Sequence, residues 1–128
     1  MSEEHEEDRS NWTVQQWTDY AKAGNKDLEG ANLAGARLRC MDLSGANLSG
    51  ANLHRAFLNN ANLRETRLYG ANLYGANLYR AQLVSASLYG ANLAGTNLEG
   101  ASLFRAYLNR ANLAGHDLDE VRKRVAGF

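Results

Sequence analysis

Histidine and cysteine are the residues of this sequence that could bind a metal ion or act as a nucleophile. His5, His54 and His116 are far apart in the chain, and none has metal-ligand spacing to Cys40 or to carboxylates. Cys40 also lacks a base placed to activate its thiol. The sequence shows no phosphate-binding loop, nucleophile elbow or carboxylate pair at a pocket. We therefore expect no catalytic residue, no metal site and no cofactor, and the protein is predicted not to be an enzyme.

The remaining chemistry is recognition by aromatic and arginine side chains, and a repeat must position them. Leucine stands at every fifth position from 28 to 118, which gives 19 leucines. The residue two positions before leucine is alanine in 14 of the 17 repeats between 31 and 111. Asparagine often precedes the leucine, and glycine often follows it by two positions. Internal repetition of this kind indicates an elongated repeat architecture.

The five-residue spacing excludes the common regular backbones. In an α-helix, successive leucines would be rotated by about 140° and would cover every side. In one long strand, alternate leucines would point to opposite faces because five is odd. A short strand with a corner in every repeat directs alanine and leucine inward and the other residues outward. The central members of this predicted core are Leu48, Leu53, Leu58, Leu63, Leu68, Leu73, Leu78, Leu83, Leu88 and Leu93.

The pattern resembles the pentapeptide-repeat family, whose motif is Ala-(Asp/Asn)-Leu-X-X. The segments Ala46-Asn47-Leu48-Ser49-Gly50 and Ala71-Asn72-Leu73-Tyr74-Gly75 match this motif. The resemblance covers residues from about 28 to 118. It implies an all-β solenoid, namely a right-handed quadrilateral parallel β-helix with about 20 residues per coil and about four to five coils. We divide the chain into an acidic disordered tail (1–11), an N-terminal capping helix (12–24), the β-helix (25–118) and a C-terminal helix (119–128).

Both ends of a solenoid expose its apolar interior, and the flanking segments are suited to cover it. Thr13 and Gln16 have the spacing of a capping box, with Trp12 and Trp17 placed as a hydrophobic staple. We expect the helix that follows to cover the first coil.

At the other end, Asp117 is placed to begin a short helix that carries Val121 and Val125 on one side. Two interpretations stay open for this helix, an intramolecular cap and a two-fold homodimer contact. Gyrase-binding members of the family dimerise through their C-terminal ends, which supports the second interpretation by resemblance.

Residues 20 apart become neighbours on one face if the implied coil length holds. Asparagines 32, 52, 72, 92 and 112 then form a column, which we expect to hydrogen-bond along the rod through stacked amides. Other columns carry aromatic residues beside arginines, which is typical of interfaces. Tyrosines on a β surface also stabilise it by stacking, so stacking alone and a binding patch are both possible. The candidate interaction surface consists of Tyr69, Tyr89, Tyr107, Arg67, Arg64 and Phe104.

Charge and composition separate the possible functions. The chain has a formal net charge of zero and no apolar run of membrane-spanning length, so we expect a cytoplasmic protein without a membrane partner. Residues 28–118 contain eight arginines and five acidic residues. A gyrase-binding DNA mimic, the alternative function, would need the opposite sign, and nucleic-acid binding would need a concentrated basic stripe. We therefore expect a non-catalytic interaction module or scaffold for another protein of unknown identity.

Overall fold

A helix at each end flanks a coiled central segment in a computed structural model of the protein, which describes residues 8–127. Helix α1 spans Val14–Lys22 and helix α2 spans Leu118–Ala126. Between them the chain forms isolated parallel β-bridges, and each bridge joins two residues that are 20 positions apart, such as Asn32 with Asn52 and Asn52 with Asn72. A coil therefore contains four five-residue repeats, and the coils stack in register.

Four faces follow from this stacking. The first face consists of repeats 26–30, 46–50, 66–70, 86–90 and 106–110, and the second of repeats 31–35, 51–55, 71–75, 91–95 and 111–115. The third face consists of repeats 36–40, 56–60, 76–80 and 96–100, and the fourth of repeats 41–45, 61–65, 81–85 and 101–105. The first and third faces are two repeats apart in a four-repeat coil, so they lie on opposite sides.

Backbone hydrogen bonds hold neighbouring coils together. The N–H of Leu33 donates to the carbonyl of Asn52 over 2.7 Å, and the N–H of Asn52 donates to the carbonyl of Ala31 over 2.8 Å. Each repeat closes with a tight turn, for which the bond from the Ala36 N–H to the Leu33 carbonyl, 3.0 Å, is an example. The last residue of the repeat adopts a left-handed conformation, as at Gly35 with φ of 66°. This turn rotates the chain and restores the inward direction of the next alanine and leucine.

The interior is a stack of alanine and leucine side chains. All ten leucines assigned to the central core, Leu48 to Leu93, are at most 1% exposed. Thr66 and Thr96 replace alanine at two inward positions and are also buried. Their hydroxyls donate to the carbonyls of Leu63 and Leu93, each over 2.8 Å, so the polar atoms are satisfied.

Helix α1 is fixed by its predicted N-terminal signals. The Thr13 side chain accepts from the Gln16 N–H, and the Gln16 side chain accepts from the Thr13 N–H, which confirms the capping box. Trp12 and Trp17 contact each other with ring centroids 5.0 Å apart, and Trp17 and Ala21 are buried in the same cluster as the first coil. Residues 1–7 of the tail that we expect to be disordered lie outside the described residues. Within its remaining part, the Arg9 guanidinium lies over the rings of Trp12 and Tyr20.

Helix α2 covers part of the other end. The Asp117 side chain accepts from the N–H groups of Asp119 and Glu120, as its position in the sequence predicts. Val121 is buried, and Val125 is partly buried against the core. The Arg124 guanidinium donates to the carbonyls of Leu98 and Ala101 at 2.6 Å each. These bonds satisfy acceptors at the edge of the last coils, where no further coil follows.

Candidate interaction surfaces

The asparagines before the leucines act within their own repeats. The Oδ1 atom of each accepts a hydrogen bond from the backbone N–H two residues later, at 3.0–3.3 Å. The hydrogen bonds found among residues 8–127 include none between two of these asparagines, so the expectation that stacked amides bond to one another along the rod is wrong, and the amide oxygen serves the turn instead. The nine asparagines are 32, 47, 52, 62, 72, 77, 92, 97 and 112.

The first face presents tyrosines to solvent. Tyr69 and Tyr89 follow the leucines of successive coils and are 46% and 47% exposed, and Tyr107 is 60% exposed. Arg67 and Tyr107 belong to the neighbouring column, which is joined by bridges through Ser87. The ring pairs within residues 8–127 are Trp12–Trp17, Trp12–Tyr20, Trp17–Tyr20 and His54–Tyr74. Stacking between Tyr69 and Tyr89 is thus not present, and their ring faces are open to solvent.

Arg64 and Phe104 lie on the fourth face, which adjoins the first face of the tyrosines. The Arg64 Nη1 atom donates to Gln82 Oε1 over 3.3 Å. The Arg105 guanidinium lies over the Phe104 ring, 5.2 Å from its centroid. The Phe104 ring also approaches Gly127, where an added Cβ would be 2.9 Å from its Cε1 atom. Phe104 therefore packs against the C-terminal end of α2, and this contact buries part of its side chain.

A groove at the corner between the second and third faces was not among the sequence candidates. It has a volume of about 310 Å³ and is lined by Arg55, Phe57, Tyr74, Gly75, Asn77 and Gly95. Beside it, the rings of His54 and Tyr74 stack with centroids 5.5 Å apart. The 20-residue spacing between His54 and Tyr74 is the sequence signal for this stack. The direction of the Arg55 side chain cannot be predicted from the sequence, because it depends on Gly75 in the next coil.

The C-terminal end of the rod is open beside α2. A groove of about 810 Å³ is lined by α2 and by the last repeats of the first and second faces. Leu118 is 48% exposed, and Leu108 and Leu113 are partly exposed, whereas the central leucines are buried. α2 bonds to the third and fourth faces, at Leu98, Ala101 and Arg105. The ends of the other two faces are consequently left uncovered.

Cys40 and the described histidines do not lie together in a metal-binding cluster. Cys40 is exposed at a left-handed corner with φ of 59°. No three potential metal ligands cluster within residues 8–127. The described helices include none that is long and apolar enough to cross a bilayer.

The Asp42 carboxylate accepts from the hydroxyl and the backbone N–H of Ser44 and lies near Lys26, and these contacts lower the pKa of Asp42.

The repeat geometry has a counterpart among known protein families. The family model described as pentapeptide repeats matches residues 20–50, 27–64, 46–83 and 86–122, in eight copies. These segments include nearly all of the coiled region. The chain belongs to the pentapeptide-repeat family. The inward alanine and leucine, the Asx turn and the left-handed corner described above are its repeat unit in this protein.

Solved pentapeptide-repeat structures are similar to the chain to different extents. A pentapeptide-repeat protein from Nostoc, alr5209, is 38% identical with a TM-score of 0.73, over 85% of this chain and 92% of its own. HetL from Nostoc, which is involved in heterocyst differentiation regulation, is 41% identical with a TM-score of 0.39, over 68% of this chain and 36% of its own. A thylakoid-lumen pentapeptide-repeat protein from Arabidopsis thaliana is 33% identical with a TM-score of 0.39, over 62% and 58%. No curated protein matches the chain significantly.

Proposed function

We propose that this pentapeptide-repeat protein is a non-catalytic module that binds another protein through the first face of the rod. The observation that carries the proposal is the exposure of Tyr69 and Tyr89, 46% and 47%, without any ring pair between them. Tyrosine beside arginine is enriched at protein interfaces and among the residues that dominate binding energy. Arg67 and Tyr107 extend the same face.

The rod is suited to this role because its backbone is fixed before binding. Every repeat of the central coils is bonded to the coils above and below it, as Leu68 and Arg67 are to Ser87 and Ala46. Tyrosines presented on such a surface lose little conformational entropy when a partner covers them. We also infer that the coil is right-handed with a square cross-section, as the pentapeptide-repeat family implies, so the faces are flat.

A comparison of variants on adjacent faces tests this function. The tagged full chain is used to recover proteins from its native host, together with the double variant Tyr69→Ser/Tyr89→Ser and the control Tyr74→Ser on the second face. We expect a partner that the wild type and Tyr74→Ser both retain and that the double variant loses. Recovery of the same proteins with the double variant would contradict the assignment to the first face.

Topoisomerase inhibition is distinguished from this function by two simple assays. The rod carries an excess of arginine over acidic residues, which does not resemble the charge of DNA. We expect no effect in a gyrase supercoiling assay and no shift of duplex DNA in a gel. Activity in the supercoiling assay would replace the general interaction module by the topoisomerase-binding alternative.

We propose further that the open C-terminal end contacts a second copy of the chain. α2 has Asp119 and Glu120 in its first turn and Lys123 in its last turn, beside Arg124, which is bound to the solenoid. An antiparallel pair of α2 helices would place the acidic residues of one copy near Lys123 of the other, around the exposed Leu118. Light scattering is expected to show a dimer that Leu118→Glu converts to a monomer with an unchanged circular-dichroism spectrum. A wild-type monomer at high concentration would rule this contact out and leave α2 as a cap only.

A further inference from the structure

Most of the positive excess of the rod lies on the third face and its two edges. Arg37 and Arg39 lie on this face, Arg55 and Arg80 stand at its two edges, and Glu99 is its one acidic residue. Elsewhere between residues 28 and 118 the four other arginines are balanced by four acidic residues. These eight residues are Arg64, Arg67, Arg105, Arg110, Glu29, Asp42, Glu65 and Asp117.

None of the third-face arginines is neutralised within the described part of the chain. The ion pairs found among residues 8–127 are Lys26–Asp42, Arg122–Asp119 and Arg124–Glu120. The hydrogen bonds of the described side chains also include no carboxylate partner for an arginine of this face. The four exposed guanidinium groups therefore have no carboxylate partner among residues 8–127.

Arg55 and Arg80 occupy positions where arginine is unfavourable. Their φ angles are 56° and 55°, in the left-handed region where a Cβ atom is crowded. Each side chain extends over a glycine of the next coil. A Cβ atom on Gly75 would lie 3.2 Å from Arg55 Cγ, and one on Gly100 would lie 3.0 Å from Arg80 Cγ. The two glycines leave room for the arginines to lie along the edges of the face, while the left-handed backbone itself is shared by the last residue of every repeat.

Aromatic rings accompany these charges. Phe57 is 47% exposed and forms bridges with Arg37 below and Asn77 above. The Arg80 guanidinium lies over the Tyr79 ring, 5.3 Å from its centroid. At the other edge, Arg55 and Phe57 line the groove of about 310 Å³. A groove of this size is large enough for one apolar or aromatic side chain of a partner.

We propose that the third face binds an acidic segment of a protein that also carries aromatic side chains. Carboxylates of the segment pair with Arg37, Arg39, Arg55 and Arg80, and an aromatic side chain enters the groove beside Phe57. A protein segment is favoured over nucleic acid because this face carries only four arginines beside Glu99 and the chain has a formal net charge of zero, whereas phosphate backbones are bound by a concentrated basic stripe. This site is separate from the tyrosines of the first face, on the opposite side of the rod.

The test measures binding of a fluorescein-labelled random copolymer of glutamate and tyrosine by fluorescence anisotropy in low-salt buffer. Arg55→Gln/Arg80→Gln is compared with Arg105→Gln/Arg110→Gln, a matched control in which both residues are also left-handed corners, with φ of 60° and 59°. We expect about tenfold weaker binding for the first pair and less than about twofold for the control. Circular dichroism and melting temperatures establish that each variant is folded.

Two further arms distinguish the sources of binding. Phe57→Ser is expected to weaken binding of the glutamate–tyrosine copolymer while leaving binding of poly-glutamate unchanged, because the groove takes the aromatic side chain. Tyr69→Ser/Tyr89→Ser is expected to retain copolymer binding, so this result is independent of the function of the first face. Equal weakening in both arginine pairs, no binding by the wild type, or tighter binding to single-stranded oligothymidylate through the same arginines would overturn the proposal.

Discussion

At the scale of single residues, an asparagine or aspartate before the leucine accepts a hydrogen bond from the backbone of the turn. The Asn72 Oδ1 atom accepts from the Tyr74 N–H over 3.0 Å, and the same contact recurs at every such asparagine. Asp42 occupies the equivalent position in its repeat and accepts from the Ser44 N–H over 3.0 Å. The Ser44 hydroxyl and then the Ser44 N–H lower the pKa of Asp42, so these contacts stabilise the fold above the pKa of the unfolded chain and weaken as the pH falls through the folded value.

Substitutions at Asn72 separate turn capping from amide stacking. Asn72→Ala removes the acceptor and is expected to lower the free energy of unfolding by about 1 kcal/mol. Asn72→Asp keeps the acceptor but removes the amide donor, so we expect it to unfold at nearly the wild-type denaturant concentration. Chemical denaturation of the three proteins at neutral pH provides the measurement. Equal losses of stability in Asn72→Asp and Asn72→Ala would instead support hydrogen bonding between stacked amides along the rod.

At the scale of elements, α1 stabilises the rod through apolar contact. Trp17 is 6% exposed and meets Trp12 and Tyr20 edge to face, at 5.0 Å and 6.0 Å. Trp17→Ala removes these ring contacts and the packing of Trp17 on the first coil. We expect the free energy of unfolding to fall by about 3 kcal/mol and the melting temperature by several degrees. Gln15→Ala on the exposed side of α1 is the control. An unchanged melting temperature for Trp17→Ala would show that α1 is not a cap.

Helix α2 is held by polar contact as well as by its valines. The Arg124 side chain is the donor for two carbonyls of the solenoid, those of Leu98 and Ala101. Arg124→Met keeps an aliphatic side chain but leaves both carbonyl acceptors without this donor. We therefore expect the free energy of unfolding to fall by about 1–3 kcal/mol. The exposed neighbour variant Lys123→Met removes the same charge without these bonds and should change stability little. Thermal unfolding followed by circular dichroism measures both, and equal effects would refute the role of Arg124.

At the scale of the whole molecule, the repeat unit sets which changes of length the rod accepts. Removal of residues 71–75 deletes one complete repeat and shifts all later residues by one face, while leucines continue to meet leucines. We expect a cooperatively unfolding protein of reduced stability. Removal of residues 71–73 breaks the five-residue phase, so inward side chains no longer face the core and a much larger loss is expected. Similar melting temperatures for the two deletions would contradict a phase-dependent core.

The distribution of charge also belongs to the whole molecule. Arg37 and Arg80 are 43 residues apart in sequence, yet the coil places both on the third face. In the sequence these arginines look dispersed, and their concentration at one face and its edges is apparent only when residues are assigned to faces. Their separation from the tyrosines of the first face gives the rod two chemically different sides.

The sequence by itself determined the core and the helix caps, whereas the pairing of residues 20 positions apart was implied only by the family resemblance. Leucine at every fifth position, with alanine two residues before it, can point inward only if each repeat contains a strand and a corner. Thr13, Gln16 and Asp117 specify helix starts through hydrogen bonds to residues two or three positions away. These features are local, so their physical cause is contained in a few consecutive residues.

The tertiary structure alone decided which side chains are available for binding. The Arg55 side chain lies over Gly75, Phe104 packs at the end of α2, and α2 leaves Leu118 exposed. Each of these outcomes depends on contacts between residues far apart in sequence or on the direction in which a helix crosses the end of the rod. Local pattern carries no information about such contacts, because their energy depends on the packing of neighbouring coils rather than on the repeat itself.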